Sequence, residues 1–401
     1  MNAVNISIQQ LKVGMYVVGL DIPWMNTPFL RNKIHLKSVD EIRKLHACGA
    51  KKITIDLDKS TKKPSLKTSE GSQKPKPKAT TAPTTFKAEV ESAKKIRSAT
   101  QAAIKHIADL AQQGGVIQQA ELTPLIHGTI DSLQRNSQAL ATLIQTQFKS
   151  SQLSHHAFNV MGLAIMMGRQ LKYTPAQLST LGTAALLCDI GWGKVADGLF
   201  NLGSTYTSTE YLEIRKHVDH SVACLEKSKL DADIIRIVEQ HHERLDGSGY
   251  PFGLKGDEIH PMSQIISLVD HFDSRTNDYY DSLAIIPARA LQEMYQSAQK
   301  QQHAPELVEQ FIQLLGIYPI SSAVVLNTGE RGMVTQISWK TPLLPKIKIF
   351  YNHKLTPLTR PIEVDLAAQK SPAPERKVKT VIDPSIRQED PARLLSVSTL
   401  L

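Results

Sequence analysis

The spacing of apolar residues changes character twice along the chain. VGMYVVGLDIPW (13–24) is apolar and β-rich, with breaks at Gly14 and Gly19. SVDEIRKLHACGA (38–50) reads as a short helix, with Ser38 as N-cap, Glu41 completing a capping box and Gly49 as the stop. KKITIDL (51–57) alternates as a strand does. Residues 1–58 are therefore expected to form a small α+β domain. From 88 to 316 the period becomes helical: Ile96, Ala99, Ala103, Ile104, Ile107 and Leu110 mark one face, and Gly114-Gly115 breaks it. Thr174-Pro175 has the layout of a cap followed by proline at the first helical position, and Ser208 or Thr209 opens another helix. After Gly316 the period falls to two. SSAVVLNTGERGMVTQIS (321–338) predicts a hairpin turning at Thr328-Gly329-Glu330, and PKIKIFYN (345–352) a third strand, giving a β extension over 317–367. The expected fold is mainly α: a helical bundle with a small α+β N-terminal domain and a short C-terminal β segment.

Composition fills in the joints. Residues 59–87 are rich in Lys, Pro, Ser and Thr, cannot bury a core, and are expected to be a tether. The tail, 368–401, is polar, contains proline and is expected to be disordered. The formal net charge of +9 would suggest an anionic partner, but eight lysines and one acid, Glu70, fall within 59–87 and leave only +2 elsewhere. No run of aromatics interleaves those lysines for base stacking, Phe86 being the one aromatic within 59–87, so a solvated linker is expected and a nucleic-acid partner is not. The three cysteines, Cys48, Cys188 and Cys224, are odd in number and far apart and indicate no disulfide framework. No apolar run is long enough to span a bilayer, and the first residues lack the layout of a signal peptide. A cytoplasmic protein is expected.

The chemistry concentrates in HHERLDGSGYP (241–251). It follows an apolar helical run, DADIIRIVEQ, and ends in turn residues; Glu243 is placed to orient a ligand from behind. Alone, a histidine pair before a glycine-rich loop serves structure as readily as metal binding. Other polar residues interrupt apolar runs: His156 opens HAFNVMGLAIMMGRQL, Asp189 follows LGTAALLC, His217 lies in IRKHVDHSVACL, and Asp270 lies in IISLVDHFD. Burying Asp189 and Asp270 without partners would be costly, and a metal is a suitable partner. Imidazoles and a shared carboxylate from several helices suit a di-metal site in a bundle.

HHERLDGSGYP resembles, without a break, the defining signature of HD-GYP domains, a branch of the HD phosphohydrolases. The resemblance runs over about 88–365, and residues 1–58 are similar to a small domain of unknown function that often precedes HD-GYP in bacterial proteins. It implies an HD-type bundle acting in bacterial signal transduction and hydrolysing cyclic di-GMP, with a hydroxide held between two divalent transition metals, iron or manganese. The implied ligands are His156, Cys188, Asp189, His217, His241, His242 and Asp270, with Asp189 as the catalytic bridge. Gly249, Tyr250 and Pro251 would contact substrate, and a diguanylate cyclase or another signalling protein would dock on the same loop.

Several positions depart from that pattern. The paired His-Asp of the family is Cys188-Asp189 here. Cys188 can be a thiolate ligand or a small buried apolar residue. The family lysine three residues after the aspartate is Trp192, for which Lys194 is the expected substitute in catalysis and phosphate binding. The glutamate of three-metal sites falls on Gln152. The basic residues that follow Asp270 in the family become Tyr279 and Ser282, leaving Arg275 as the expected compensating cation. The expected function is a cyclic di-GMP phosphodiesterase with a modified site; the alternative is a degenerate regulator or scaffold that keeps the bundle and the GYP loop.

Overall fold

The structure is a computed structural model and describes residues 3–20, 34–36, 38, 41–43, 45, 52–56, 58–60, 84–145, 152–195, 199, 206–277, 284–338, 341–369 and 375–383. Tyr279 and Ser282, most of the expected tether, and most of the expected tail lie outside these residues. Two units are resolved, 1–79 and 80–401.

In the first unit, β1 (Ala3–Ser7), β2 (Tyr16–Leu20), β3 (Ile34–His35) and β4 (Lys52–Asp56) form an antiparallel sheet in the order β1-β4-β2-β3. Alternation places Ile53 and Ile55 on the buried face, where they meet Met15, Val17, Leu36 and Leu45. The expected capping box forms: Ser38 Oγ accepts from the Glu41 amide at 3.3 Å, and Glu41 accepts from the Ser38 amide at 3.2 Å.

The second unit is helical: α1 (Phe86–Gln112), α2 (Gln119–Arg135), α3 (Ser137–Gln145), α4 (Leu153–Gln170), α5 (Pro175–Leu187), α6 (Ser208–Lys227), α7 (Ala232–Glu239), α8 (Pro261–Thr276), α9 (Pro287–Gln299) and α10 (Pro305–Leu315). α4 is apolar on nearly every side and buried from His156 to Gly168, which makes it the central helix, packed by α1, α3, α5, α8 and α10. Thr174 and Thr207 cap α5 and α6, and α6 starts at Ser208, one of the two expected positions. The tether ends earlier than expected, because Thr85 caps α1 and Phe86 and Lys87 are helical. Glu89 on α1 is buried and takes a two-bond contact from Arg135 at 2.7 and 2.9 Å, fixing α1 against α2.

The chain ends in an antiparallel sheet of β5 (Ala323–Leu326), β6 (Arg331–Gln336), β7 (Lys346–Tyr351), β8 (Pro357–Asp365) and β9 (Val378–Ile382), ordered β8-β7-β6-β5-β9. The turn falls at Gly329, whose φ of +86° is one that glycine tolerates best. Two strands exceed the three expected. β9 corrects the expectation of a tail disordered from 368: Val378 and Val381 pack on the sheet core, and Ala323 to Leu326 pair with this strand. Among the described residues no helix is long and apolar enough to cross a membrane.

Candidate metal centre

Asp189 is placed by a backbone clamp. α5 ends at Leu187, Cys188 is its C-cap, and Asp189 precedes a 3-10 turn, Ile190–Lys194. Ser221 Oγ on α6 donates to the Cys188 carbonyl at 2.8 Å and accepts from the Gly191 amide at 2.9 Å. Residue 191 has to be glycine, since a Cβ there would collide with the His217 carbonyl and the Ser221 amide. This close approach holds Asp189 beside His217, one turn before Ser221 on α6.

His241 and His242 lie beyond α7, after its C-cap Gln240, in a turn. That turn lets both rings converge, with centroids 3.9 Å apart. Glu243 does not orient a metal ligand from behind. Its carboxylate accepts from the amides of Phe252, Gly253 and Leu254 at 2.7, 3.2 and 3.0 Å and ties down the loop that follows. Gly249 is required for the same loop to pass the backbone at His242, Glu243 and Arg244.

Two groups of donor atoms result, each within 4.8 Å of one another: Asp189 with His217, His241 and His242, and Asp189 with His156 and Asp270. The groups share Asp189. Nδ1 of His217 donates to the Ile214 carbonyl at 2.7 Å, and Nδ1 of His241 to that of Val238 at 2.6 Å. A carbonyl only accepts, so each Nδ1 bears the proton and each Nε2 presents a lone pair inward. Those lone pairs face Asp189 Oδ1 at 3.2 and 3.6 Å, and Nε2 of His217 faces Nε2 of His242 at 3.1 Å. Acceptors gathered on a carboxylate oxygen repel one another unless a cation lies between them. The donor set therefore fits a metal.

His156 Nε2 lies 2.8 Å from Asp189 and 3.1 Å from Asp270. Burial opposes charge on this imidazole, but hydrogen bonds to Asp189, Asp270 and Asp273 prevail and hold its pKa well above the ordinary value. Its proton does there what a metal ion would do. Burial, reinforced by His241 and His217, pushes His242 well below the ordinary value and keeps it a neutral donor.

Other expected site residues are not brought together. The Cys188 thiol donates to the Ala185 carbonyl at 3.4 Å within the apolar core and stands outside both donor groups; burial, then Asp189 and Asp270, raises its pKa well above the usual thiol range. Lys194 is exposed, near His220 and Cys224 and away from the donors. Arg275 is engaged by Glu293 on α9 at 2.9 and 3.3 Å. Trp192 stacks on His217 at 4.8 Å and joins an apolar patch with Val195 and Ile214. Gln152 is the exposed N-cap of α4. Tyr250 stacks on His242 at 4.6 Å, while Pro251 is exposed.

Asp273, Asn159 and Ser221 were not expected. Asp273 accepts from His156 Nδ1 at 2.8 Å and is held by Asn159 at 2.9 Å. Its position three residues after Asp270, on the same side of α8, was the signal. A carboxylate behind a ligating imidazole fixes its orientation and raises its basicity. Asp273→Asn should lower metal affinity about tenfold, measured by competition with a chelator; wild-type affinity would show that Asp273 only packs.

Known proteins place this geometry in context. Residues 134–307 match a family described as HD domain, 3–122 a domain of unknown function (DUF3391), and 323–373 a KOW domain associated with HD domain. A Pseudomonas aeruginosa protein named as a cyclic di-GMP phosphodiesterase is 27% identical over 87% of this chain and 85% of its own length. A 3'3'-cGAMP-specific phosphodiesterase of Vibrio cholerae is 33% identical over 36% of this chain and 32% of its own. A solved structure of an HDG"Y"P protein from Bdellovibrio bacteriovorus covers 78% of this chain and 99% of its own at 15% identity, with a TM-score of 0.47. The chain carries an HD domain preceded by the DUF3391 domain and is homologous to the HD-GYP cyclic di-GMP phosphodiesterases.

Proposed function

We propose that the helical unit is a metal-dependent phosphodiesterase that hydrolyses cyclic di-GMP. The observation that carries this reading is the convergence of inward-facing imidazole lone pairs on one buried carboxylate, Asp189, shared by two donor groups. The name of the Pseudomonas aeruginosa homologue agrees with it, and the Vibrio cholerae homologue is named for another cyclic dinucleotide, 3'3'-cGAMP. His217, His241 and His242 would hold one divalent ion, and His156 and Asp270 the other, with Asp189 bridging; iron or manganese suits this nitrogen and oxygen set. When bound, such a pair supplies Lewis acidity and lowers the pKa of water at the site. Asp273 would hold the His156 ring in place, the Ser221 clamp would fix Asp189, and Tyr250 would hold the His242 ring by stacking on it.

A second reading, a degenerate regulator that binds the nucleotide or a signalling protein such as a diguanylate cyclase through the GYP loop, is favoured by two features. Cys188 offers no donor to the centre, and Trp192 stacks where the resemblance expects a phosphate-binding lysine. One ligand short, the centre should turn over slowly. Cys188→His should then raise the rate of cyclic di-GMP hydrolysis about tenfold, equivalent to about 1.4 kcal/mol of barrier, in initial-rate assays at matched metal content. A fast wild type slowed by Cys188→His would reject this account of the cysteine. Metal and nucleotide binding without hydrolysis in either protein would favour the regulator.

A further inference from the structure

Five of the six donors have side chains no more than 7% exposed, whereas that of His242 is 16% exposed. The centre therefore opens at His242. Tyr250 covers that ring at 4.6 Å and 25°. The Arg215 guanidinium lies over the Tyr250 ring at 4.7 Å and over the Tyr211 ring at 4.6 Å from their centroids. Tyr211 is 45% exposed. A stacked ladder of His242, Tyr250, Arg215 and Tyr211 thus leads from a buried donor to solvent. Arg215 sits two residues before His217 on α6, so the helix that positions a donor also positions this cation.

A guanidinium whose face packs on aromatic rings keeps its in-plane N–H groups for other partners. Among the described residues no carboxylate lies within ion-pair distance of Arg215, and its buried Nε has no hydrogen-bond partner. An in-plane set of N–H donors matches a phosphate, which it can grip with two parallel bonds. Arg244 is a second cation nearby, and its guanidinium bonds to Ser267. The two cations expected from sequence, Lys194 and Arg275, are turned elsewhere.

We propose that Arg215, packed on Tyr211 and Tyr250 at the open side of the centre, binds the phosphodiester of a cyclic dinucleotide that is not being cleaved. This rests on the reading that the centre takes such a nucleotide. A ring with two phosphodiesters presents the second one outward when the first is at the donors, and the ladder is where it emerges. Arg215 is a binding residue that discriminates cyclic dinucleotides from substrates with a single phosphodiester.

The test is calorimetric binding of cyclic di-GMP and cyclic di-AMP to metal-loaded full-length protein. Arg215→Gln should weaken both nucleotides about tenfold while keeping the wild-type metal content. Arg215→Lys should restore only part of the loss, because an ammonium lacks the planar pair of donors. Wild-type affinity in Arg215→Gln would overturn the assignment. Loss confined to cyclic di-GMP would also overturn it, by showing a contact to guanine rather than to phosphate. No binding of either nucleotide by the wild type would instead reject the underlying reading of the substrate.

Discussion

Asp189→Ala should strip bound metal and lower cyclic di-GMP hydrolysis about a thousandfold or more, equivalent to at least about 4 kcal/mol of barrier. Asp189 belongs to both donor groups, so its loss removes an oxygen from each and the link between them. It also leaves His156, His217 and His241 facing an apolar gap in a region almost closed to water. The measurements are metal content by elemental mass spectrometry and initial rate on cyclic di-GMP. A variant that keeps the wild-type metal content would show that the donors do not share an ion through Asp189. Lys194→Ala is the contrast. Its side chain lies on the exposed side of the 3-10 turn, and the rate should stay within about twofold of wild type, the range of ordinary surface changes.

The helical unit should lose stability in acid through His303. This imidazole is 4% exposed, hydrogen-bonded to Ser297 at 2.8 Å. Burial, with the Arg244 guanidinium and His271 nearby, lowers its pKa to about 2. In the unfolded chain the same group titrates near its ordinary value, about 6.5. The folded state thus keeps it neutral while the unfolded state takes up a proton. Its contribution to stability is complete above the unfolded pKa and is lost as pH falls from about 6.5 toward 2. Between pH 6.5 and 4.5 the loss is about 2–3 kcal/mol, roughly a hundredfold in the folding constant. Urea denaturation of wild type and His303→Gln at both pH values isolates this group: the variant should lose that much less on acidification. Equal losses would place the acid sensitivity in other groups.

Much of the centre was legible in the sequence because a polar residue at the margin of an apolar run needs a buried partner. His156, Asp189, His217 and Asp270 all stood out in this way, and the structure gathers them with His241 and His242. What was misread depended on geometry that spacing alone does not give. Lys194 was expected to replace a missing cation, but in a 3-10 turn residues three apart eclipse one another. Trp192 and Val195 share the inward side there, which sends Lys194 out. Arg275 follows Asp270 by five residues, about 140° around a helix, and so faces Glu293 instead of the donors. Glu243 was assigned to the metal because it adjoins the histidines; its partners are amides nine to eleven residues later, brought back by a turn. β9 was hidden because its strand is short and most of its residues are polar or partly exposed; only pairing along β5 defines it.

The three amides gathered by Glu243 bear on how tightly the loop can hold anything. A glycine-rich surface loop ordinarily samples many conformations, and a ligand that fixes it must offset their lost entropy, on the order of 1 kcal/mol or more per residue. Here one carboxylate has already fixed the stretch from Phe252 to Leu254 during folding. Tyr250, two residues before that stretch, donates its amide to the His242 carbonyl at 3.3 Å and stacks on the His242 ring, so contacts made to it add to affinity instead of being consumed in ordering the loop.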